Sequence, residues 1–165
     1  MKKKIFTTLL ALCSVFAAQA QFQEGKGYVG ASLTGLNMNY TGATGLNFGL
    51  EAKGGYLFAD NLMALASLSY EHNGNKAIAD HITLGVGGRY YIIQNGLFLG
   101  VNAKLLHANH NYNDIMPGIE VGYAFYINRS VTIEPSVYYD QSFRAHSDYS
   151  TIGLKVGIGV YLFDD

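Results

Sequence analysis

The last strand-like segment of the chain alternates strictly between aliphatic residues and small or polar ones. Between Thr151 and Leu162, every second residue is Ile, Leu or Val, and the residues between them are Thr, Gly, Lys or Tyr. Successive side chains of a β-strand point to opposite faces, so a period of two gives one aliphatic face and one small or polar face. The segment therefore predicts an amphipathic β-strand.

Seven segments upstream repeat this alternation, so the sequence predicts eight strands in all. Their apolar residues fall on alternate positions of the ranges 29–33, 46–58, 62–70, 82–92, 97–105, 119–125 and 131–139. Met63 and Leu65 are exceptions that stand on the polar face of their segment. After Leu33 the phase slips near Gly35, which indicates a β-bulge. Pro135 lies inside a strand pattern without an N–H group to donate, so we expect a bulge or a broken ladder bond there.

The links between the predicted strands alternate in length. Three are tight polar turns, at 59–61, 94–96 and 128–130, and four are longer polar stretches, at 40–45, 72–80, 107–114 and 144–150. Successive links of an antiparallel sheet lie at opposite ends, so the short turns collect at one end and the longer links at the other. This connectivity is typical of an up-and-down membrane β-barrel.

Residues 1–20 have the pattern of a cleaved export signal, ahead of one domain over 21–165. Three lysines precede an apolar stretch at 5–18, and the Ala-Gln-Ala sequence at 18–20 suits signal peptidase. The apolar stretch is shorter than the ~20 residues that a membrane helix needs. Cys13 does not follow a small residue, which argues against a lipoprotein signal.

Composition narrows the function of the exported domain. The formal net charge of −1 shows no basic excess, so we expect no nucleic-acid partner. The one cysteine is lost with the signal, which leaves neither a thiol nucleophile nor a cysteine-based metal site. No apolar run after the signal is long enough for a membrane helix, so any membrane crossing must use strands.

Low charge also predicts which strand face points inward. The alternative architecture is a soluble lipocalin-like barrel, whose exterior needs about 25–35% charged residues. Only 14% of this chain is charged, and its polar strand faces are rich in Gly. Gly suits an eight-stranded lumen, which is just wide enough for side chains. We therefore predict an all-β fold, an eight-stranded antiparallel up-and-down transmembrane β-barrel. Aromatic residues near its strand ends are typical of membrane interfaces: Tyr56, Phe58, Tyr90, Phe125 and Tyr139.

The charges on the predicted inner face balance, with four of each sign. They are Glu51, Lys53, Glu71, Arg89, Lys104, Glu120, Glu134 and Lys155. Charges enclosed in a lumen must be paired, because an unpaired buried charge is strongly destabilising. The sequence therefore predicts an internal salt-bridge network that plugs the lumen and leaves no wide pore.

The export signal, the strand count and the alternating link lengths together resemble those of the small eight-stranded outer-membrane β-barrel proteins of Gram-negative bacteria. The resemblance covers the whole chain after residue 20. It is similar to the OmpA transmembrane domain and OmpX. The final strand of that family carries a signal for the barrel assembly machinery, and Lys155, Gly157, Val160 and Leu162 match its pattern. The resemblance implies a monomer in the outer membrane, in contact with outer-membrane lipid and lipopolysaccharide. It also implies handling by periplasmic chaperones in transit.

Two motifs resemble binding sites, and each has a simpler explanation. Residues 25–30 match the letters of a dinucleotide fingerprint, but they lead into a strand instead of linking a strand to a helix. His107 and His110, with Asp114 nearby, could bind zinc or copper. However, nothing sets their ligand geometry, and histidine is also an ordinary polar residue for exposed loops.

A lipid A-modifying esterase or acyltransferase is the enzymatic alternative. His146, Ser147 and Asp148 supply the required residue types at the end with the longer links. Neighbours along a strand point to opposite faces, however, so adjacent His and Ser would not share a site. We predict no catalytic residue, no cofactor and no metal, and a structural or surface-interaction role.

Overall fold

The structure is a computed structural model that describes residues 22–36, 48–72, 81–92, 95–108, 112–144 and 150–162. These ranges contain nine β-strands: β1 (Gly27–Leu36), β2 (Phe48–Ala59), β3 (Leu62–His72), β4 (His81–Tyr91), β5 (Leu97–Ala108), β6 (Tyr112–Tyr123), β7 (Phe125–Tyr126), β8 (Val131–Asp140) and β9 (Thr151–Leu162). Within the same ranges, no helix has the length and apolarity needed to cross a membrane. The predicted export signal lies outside the described residues.

The strands form one closed antiparallel sheet. Each strand from β1 to β6 pairs with the next, β8 pairs with β9, and β9 pairs back with β1 from Gly27↔Leu162 to Leu36↔Leu154. The short strand β7 continues the line of β6, and both pair with β8. Counted around the barrel, β6 and β7 are one strand. The predicted eight-stranded antiparallel barrel is confirmed.

The break between β6 and β7 lies opposite Pro135. The β6–β8 ladder runs to the pair Gly122↔Ser136, skips two positions, and resumes at Phe125↔Ile133 in the same register. Pairing lapses on this side because proline has no N–H group for the ladder, while on the β9 side the register continues past Pro135. The predicted defect is confirmed as a broken ladder without a bulge.

Two further local predictions are confirmed. The β1–β9 register shifts between Thr34 and Leu36, which is the bulge expected near Gly35. Between β2 and β3 the tight turn is reduced to Asp60 and Asn61. Asn61 takes a positive φ of 63°, a left-handed conformation in which Asn is enriched.

The long link predicted at 107–114 is wrong. β5 continues to Ala108 and β6 begins at Tyr112, with His107 paired to Asn113, so only residues 109–111 separate the two strands. A strand that projects past the lipid can carry polar residues on its outer face, and polarity alone therefore did not distinguish this extension from a loop. The other long links lie largely outside the described residues.

The outer surface of the barrel is aliphatic and aromatic. Leu84, Val101 and Ile158 are 56%, 64% and 57% exposed, and similar residues recur at alternate positions of the strands. Many of the inward residues between them are polar or small, such as Glu51, which is 3% exposed. The polar face is therefore inside, which is the reverse of a soluble lipocalin-like barrel.

Aromatic side chains surround the tight-turn end of this outer surface. Tyr56, Phe58, Tyr90 and Phe125 are each about half exposed there, near the tight turns. Tyr139 lies toward the opposite end of the barrel, on β8, and is only partly exposed. A girdle of this kind is typical of the level at which a membrane barrel meets the lipid headgroups.

Closure between β1 and β9 predicts a specific cross-link. Ala31 and Ile158 face each other across this pair and are both exposed. A short bifunctional thiol reagent should join cysteines at these positions, because opposed Cβ atoms lie about 5 Å apart. Gel electrophoresis of the denatured product will show the altered mobility of a cross-linked chain. The control pair is Ala31→Cys with Leu105→Cys on the opposite wall, and equal cross-linking of both pairs would contradict the strand order.

Candidate functional site in the barrel lumen

Among the described residues, side chains fill the middle of the lumen almost completely. In the part of the barrel that the structure describes, cavities of about 30 and 10 Å³ remain beside Lys53, Glu120 and Lys155. One water molecule needs about 10–15 Å³ of such space, so these cavities are large enough for a few waters and too small for a solute.

Six charged side chains meet in the middle of the lumen. This central cluster consists of Glu51, Lys53, Arg89, Glu120, Glu134 and Lys155, three of each sign. Measured from side-chain nitrogen to carboxylate oxygen, Lys53 lies 3.5 Å from Glu51 and 3.6 Å from Glu120. Lys155 lies 2.9 Å and 3.9 Å from the same two carboxylates. Arg89 lies 3.7 Å from Glu120 and 2.8 Å from Glu134. Every cation thus bridges two carboxylates, and the cluster is electroneutral.

Serine hydroxyls from neighbouring strands complete the contacts of two of these carboxylates. Ser32 donates a hydrogen bond of 3.0 Å to Glu51, and Ser136 donates one of 2.7 Å to Glu120. Glu120 also lies within 4 Å of all three cations of the cluster, so it holds β2, β4 and β9 to its own strand, β6. Such donors offset the loss of hydration that burial of a carboxylate entails.

Glu134 links the central cluster to the aromatic residues at the tight-turn end. One of its oxygens accepts hydrogen bonds from Arg89 and from the Tyr28 hydroxyl, both at 2.8 Å. The other accepts from Thr132 at 2.9 Å and from the Tyr161 hydroxyl at 3.3 Å. The carboxylate is therefore satisfied by one cation and three hydroxyls, and charge and aromatic packing form one continuous interior.

An aromatic plug closes the lumen at the tight-turn end. It consists of Phe22, Tyr28, Leu57, Met63, Tyr91, Phe98, Ala124 and Tyr161. Phe22 is fully buried and stacks on Tyr91 with their ring centroids 3.7 Å apart. Met63 belongs to the plug and Leu65 packs against it, which explains why the sequence places two apolar residues on an otherwise polar face.

The sequence did not reveal that the chain before β1 takes part in this plug. The backbone N–H of Asn61 donates to the Phe22 carbonyl, and that of Gly25 donates to the Leu57 carbonyl, both at 2.8 Å. These bonds hold the segment across the base of β2 and β3. The only sequence signal was an isolated aromatic residue just after the predicted cleavage site, and it carries no periodicity.

Pairing near the opposite end of the lumen differs from the predicted network. The Lys104 side-chain nitrogen lies 2.6 Å from a carboxylate oxygen of Asp140. Asp140 is an inward residue of β8 that was not part of the predicted charge set. Glu71 contacts His81, at 3.5 Å from its Nε2 atom. The structure thus brings six of the eight predicted charges into one cluster and gives Lys104 and Glu71 other partners. Asp140 lies an even number of residues after Glu134 on β8, so both side chains fall on the same face of the strand. This spacing was the signal that could have identified Asp140 as an inward charge.

The residues of the predicted assembly signal divide between the two faces of β9. Lys155 belongs to the central cluster, and Gly157 is buried beside Ser32. Val160 and Leu162 stand on the outward face. Recognition of this strand by the assembly machinery stays a prediction.

The alternative chemical sites do not come together among the described residues. His107 is exposed on the outer face while Asp114 is buried on the inner face, so these two side chains diverge. No group of three His, Cys, Asp or Glu residues in the described ranges could hold a metal ion. Residues 25–30 run from a turn into β1, with no helix following. His110 and residues 146–148 lie outside the described residues.

A closed eight-stranded barrel with an aliphatic exterior and an ion-paired lumen is the fold of the small outer-membrane β-barrels. Three solved structures are similar to this chain in fold. Neisserial surface protein A (NspA) is 16% identical with a TM-score of 0.60, over 83% of this chain and 99% of its own. A de novo designed transmembrane β-barrel is 16% identical with a TM-score of 0.57, over 85% and 98%. The Yersinia pestis outer-membrane protein Ail is 12% identical with a TM-score of 0.54, over 84% and 100%.

At these identities the similarity concerns the fold alone. No family model matches the sequence, and no curated protein matches it either. Membership of the group of OmpA and OmpX therefore stays a prediction.

Removing one cation from the central cluster should destabilise the barrel strongly. We expect Arg89→Met to lower the free energy of unfolding by about 3–5 kcal/mol, because it leaves buried carboxylates without their partner. The double variant Arg89→Met/Glu134→Gln should recover part of this loss. Urea unfolding in lipid vesicles measures both effects. As a control, Arg129→Met in an exposed turn should change stability by less than about 0.5 kcal/mol. Equal effects at positions 89 and 129 would contradict the ion-paired lumen.

A methyl group added to the inner wall should also be destabilising. A Cβ atom at Gly122 would lie 2.6 Å from the Ser136 Cβ and 2.8 Å from the Pro135 carbonyl oxygen. Gly122→Ala should therefore cost about 1–3 kcal/mol in the same unfolding measurement. Gly54 is the matched control, since a Cβ there meets nothing within 4 Å. A loss at position 54 as large as that at 122 would refute the assignment of faces.

Proposed function

We propose that this protein is a monomeric integral protein of the outer membrane with a structural or surface-interaction role and no enzymatic activity. The observation that carries the proposal is the combination of an apolar outer wall with a closed interior whose central charge cluster is electroneutral. Soluble monomers rarely expose continuous apolar surface beyond a few hundred Å², whereas lipid covers such a surface at no cost.

The height of the apolar wall supports a membrane-spanning position. On β9 the outward residues are aliphatic from Ile152 to Leu162. These ten steps cover about 33 Å along the strand, or about 25 Å along the membrane normal at a tilt of about 40°, which matches the apolar band of an outer-membrane barrel. The aromatic residues at the tight-turn end lie at one border of this band.

The filled lumen argues for a role at the surface of the barrel and against transport through it. The central cluster and the aromatic plug occupy successive levels of the interior, and the two cavities between the described residues beside Lys53 and Glu120 are of water size. In this proposal residues 1–20 direct export, and periplasmic chaperones and the assembly machinery deliver the chain. Lipopolysaccharide and other outer-membrane lipids surround it, with the longer links on the cell exterior.

Fractionation and thiol labelling test this proposal. The protein should fractionate with the outer membrane and run faster on gels when it is not heated. In intact cells, a membrane-impermeant maleimide should label Arg144→Cys, near the end with the longer links. Arg129→Cys, in the tight turn between β7 and β8, should react only after the cells are permeabilised.

The outcomes separate the parts of this proposal. Soluble periplasmic protein would contradict membrane insertion, and labelling of Arg129→Cys in intact cells would contradict the orientation. Purified protein in liposomes should not admit small sugars in a swelling assay. Rapid swelling would contradict the plugged lumen.

A further inference from the structure

A groove lies on the outside of the barrel at the end with the longer links. It has a volume of about 660 Å³, and its walls include Leu105 of β5, Ile115 of β6, and Phe143 in the segment after β8. The backbone N–H of Gln141 donates to the Pro117 carbonyl at 2.9 Å, so the chain after β8 still follows β6. This register places Phe143 beside Ile115, which itself faces Leu105 on β5. We call this space the rim groove.

The polarity of the rim groove changes over one step along the strands. Leu105 and Ile115 are the last apolar pair of the lipid-facing wall, and the next outward pair is His107 and Asn113. Phe143 is 72% exposed, more than any other large apolar side chain in the described ranges. A groove that is apolar below and polar above lies at the level where acyl chains meet headgroups.

A cation is held at the polar edge of the rim groove. The guanidinium of Arg144 donates to the Asn113 carbonyl at 2.8 Å, and its backbone N–H donates to the Asp114 carboxylate at 3.4 Å. The same carboxylate accepts a hydrogen bond from the buried Ser142, which fixes this part of the segment. Arg144 itself is exposed, while Asp114 is 5% exposed and turned toward the lumen. These bonds hold the guanidinium in a defined position at the edge of the groove.

The imidazole of His107 places a second nitrogen-bearing side chain at the same level of the groove. Its Nδ1 atom lies 2.8 Å from the side-chain oxygen of Asn113, which orients the ring beside the groove. Arginine binds phosphate with two parallel hydrogen bonds, and a phosphate monoester, which carries more negative charge, attracts a guanidinium more strongly than the phosphodiester of a zwitterionic headgroup, which has its own cation.

We propose that the rim groove binds a phosphorylated, multiply acylated lipid of the outer leaflet, of the lipid A type. One acyl chain lies against Leu105, Ile115 and Phe143, and a phosphate group binds Arg144 beside His107. The inference rests on the proposed function, since only a barrel in the outer membrane with this orientation meets that leaflet. It adds to that function a defined binding site on the lipid-facing wall.

Native mass spectrometry can measure this binding on protein expressed with its own first 20 residues and purified from membranes in detergent. The probes are bisphosphorylated lipid A and the same lipid after removal of its phosphates. Wild-type protein should bind the phosphorylated lipid about tenfold more tightly, as expected for a charge-assisted contact to phosphate. Arg144→Gln should lose this preference and bind both lipids equally, whereas Phe143→Ser should weaken binding of both.

Two control variants carry the same changes at the opposite end of the barrel. Arg129→Gln alters an exposed arginine in a tight turn, and Phe125→Ser removes an exposed aromatic side chain of the girdle. Both should bind like the wild type. Equal binding of the two lipids by wild-type protein would overturn the inference, as would losses in the controls as large as those at 143 and 144.

Failure of the inference can be told apart from failure of the proposed function. If the wild-type protein shows no heat-modifiable band and is absent from the outer membrane, both are wrong. If it is a folded outer-membrane barrel whose lipid binding does not depend on phosphate or on Arg144, only the rim groove is wrongly assigned.

Discussion

Inside a bilayer no water replaces a missing backbone partner, so a sheet that crosses it must close on itself. In this protein the pairing of β1 with β9 provides that closure and removes both edges of the sheet. Opposite Pro135 the ladder lapses, at a residue that has no N–H group to leave unpaired. With the backbone satisfied in this way, the side chains alone decide how the barrel meets lipid and what its interior contains.

Closure with eight strands leaves a lumen no wider than the side chains that fill it. Charges placed there cannot remain hydrated, so each must find a partner on another strand. The central cluster does this with every cation between two carboxylates, and Glu120 joins four strands through its ion pairs. Glu134 extends the same hydrogen-bonded interior to the tyrosines of the plug. The lumen is therefore built as a second core, and the proposed function concerns the outer wall and its rim.

The outer wall changes character at the end with the longer links. Aliphatic residues cover it through Leu105 and Ile115, and polar side chains with the cation of Arg144 follow immediately. The segment after β8 overhangs this border because it keeps pairing with β6 beyond Asp140. Among the described residues, this part of the wall thus combines an apolar surface with an arginine side chain.

The sequence by itself determined the eight strands, their two faces and the irregularities near Gly35 and Pro135, because a period of two and a missing N–H group are local properties. It also placed the charges of the central cluster on one face. Only the tertiary structure decided their partners, since contact across a lumen depends on the register and tilt of strands far apart in sequence. For the same reason Lys104 contacts Asp140, and Phe22 fills the base of a barrel that forms entirely from residues after it.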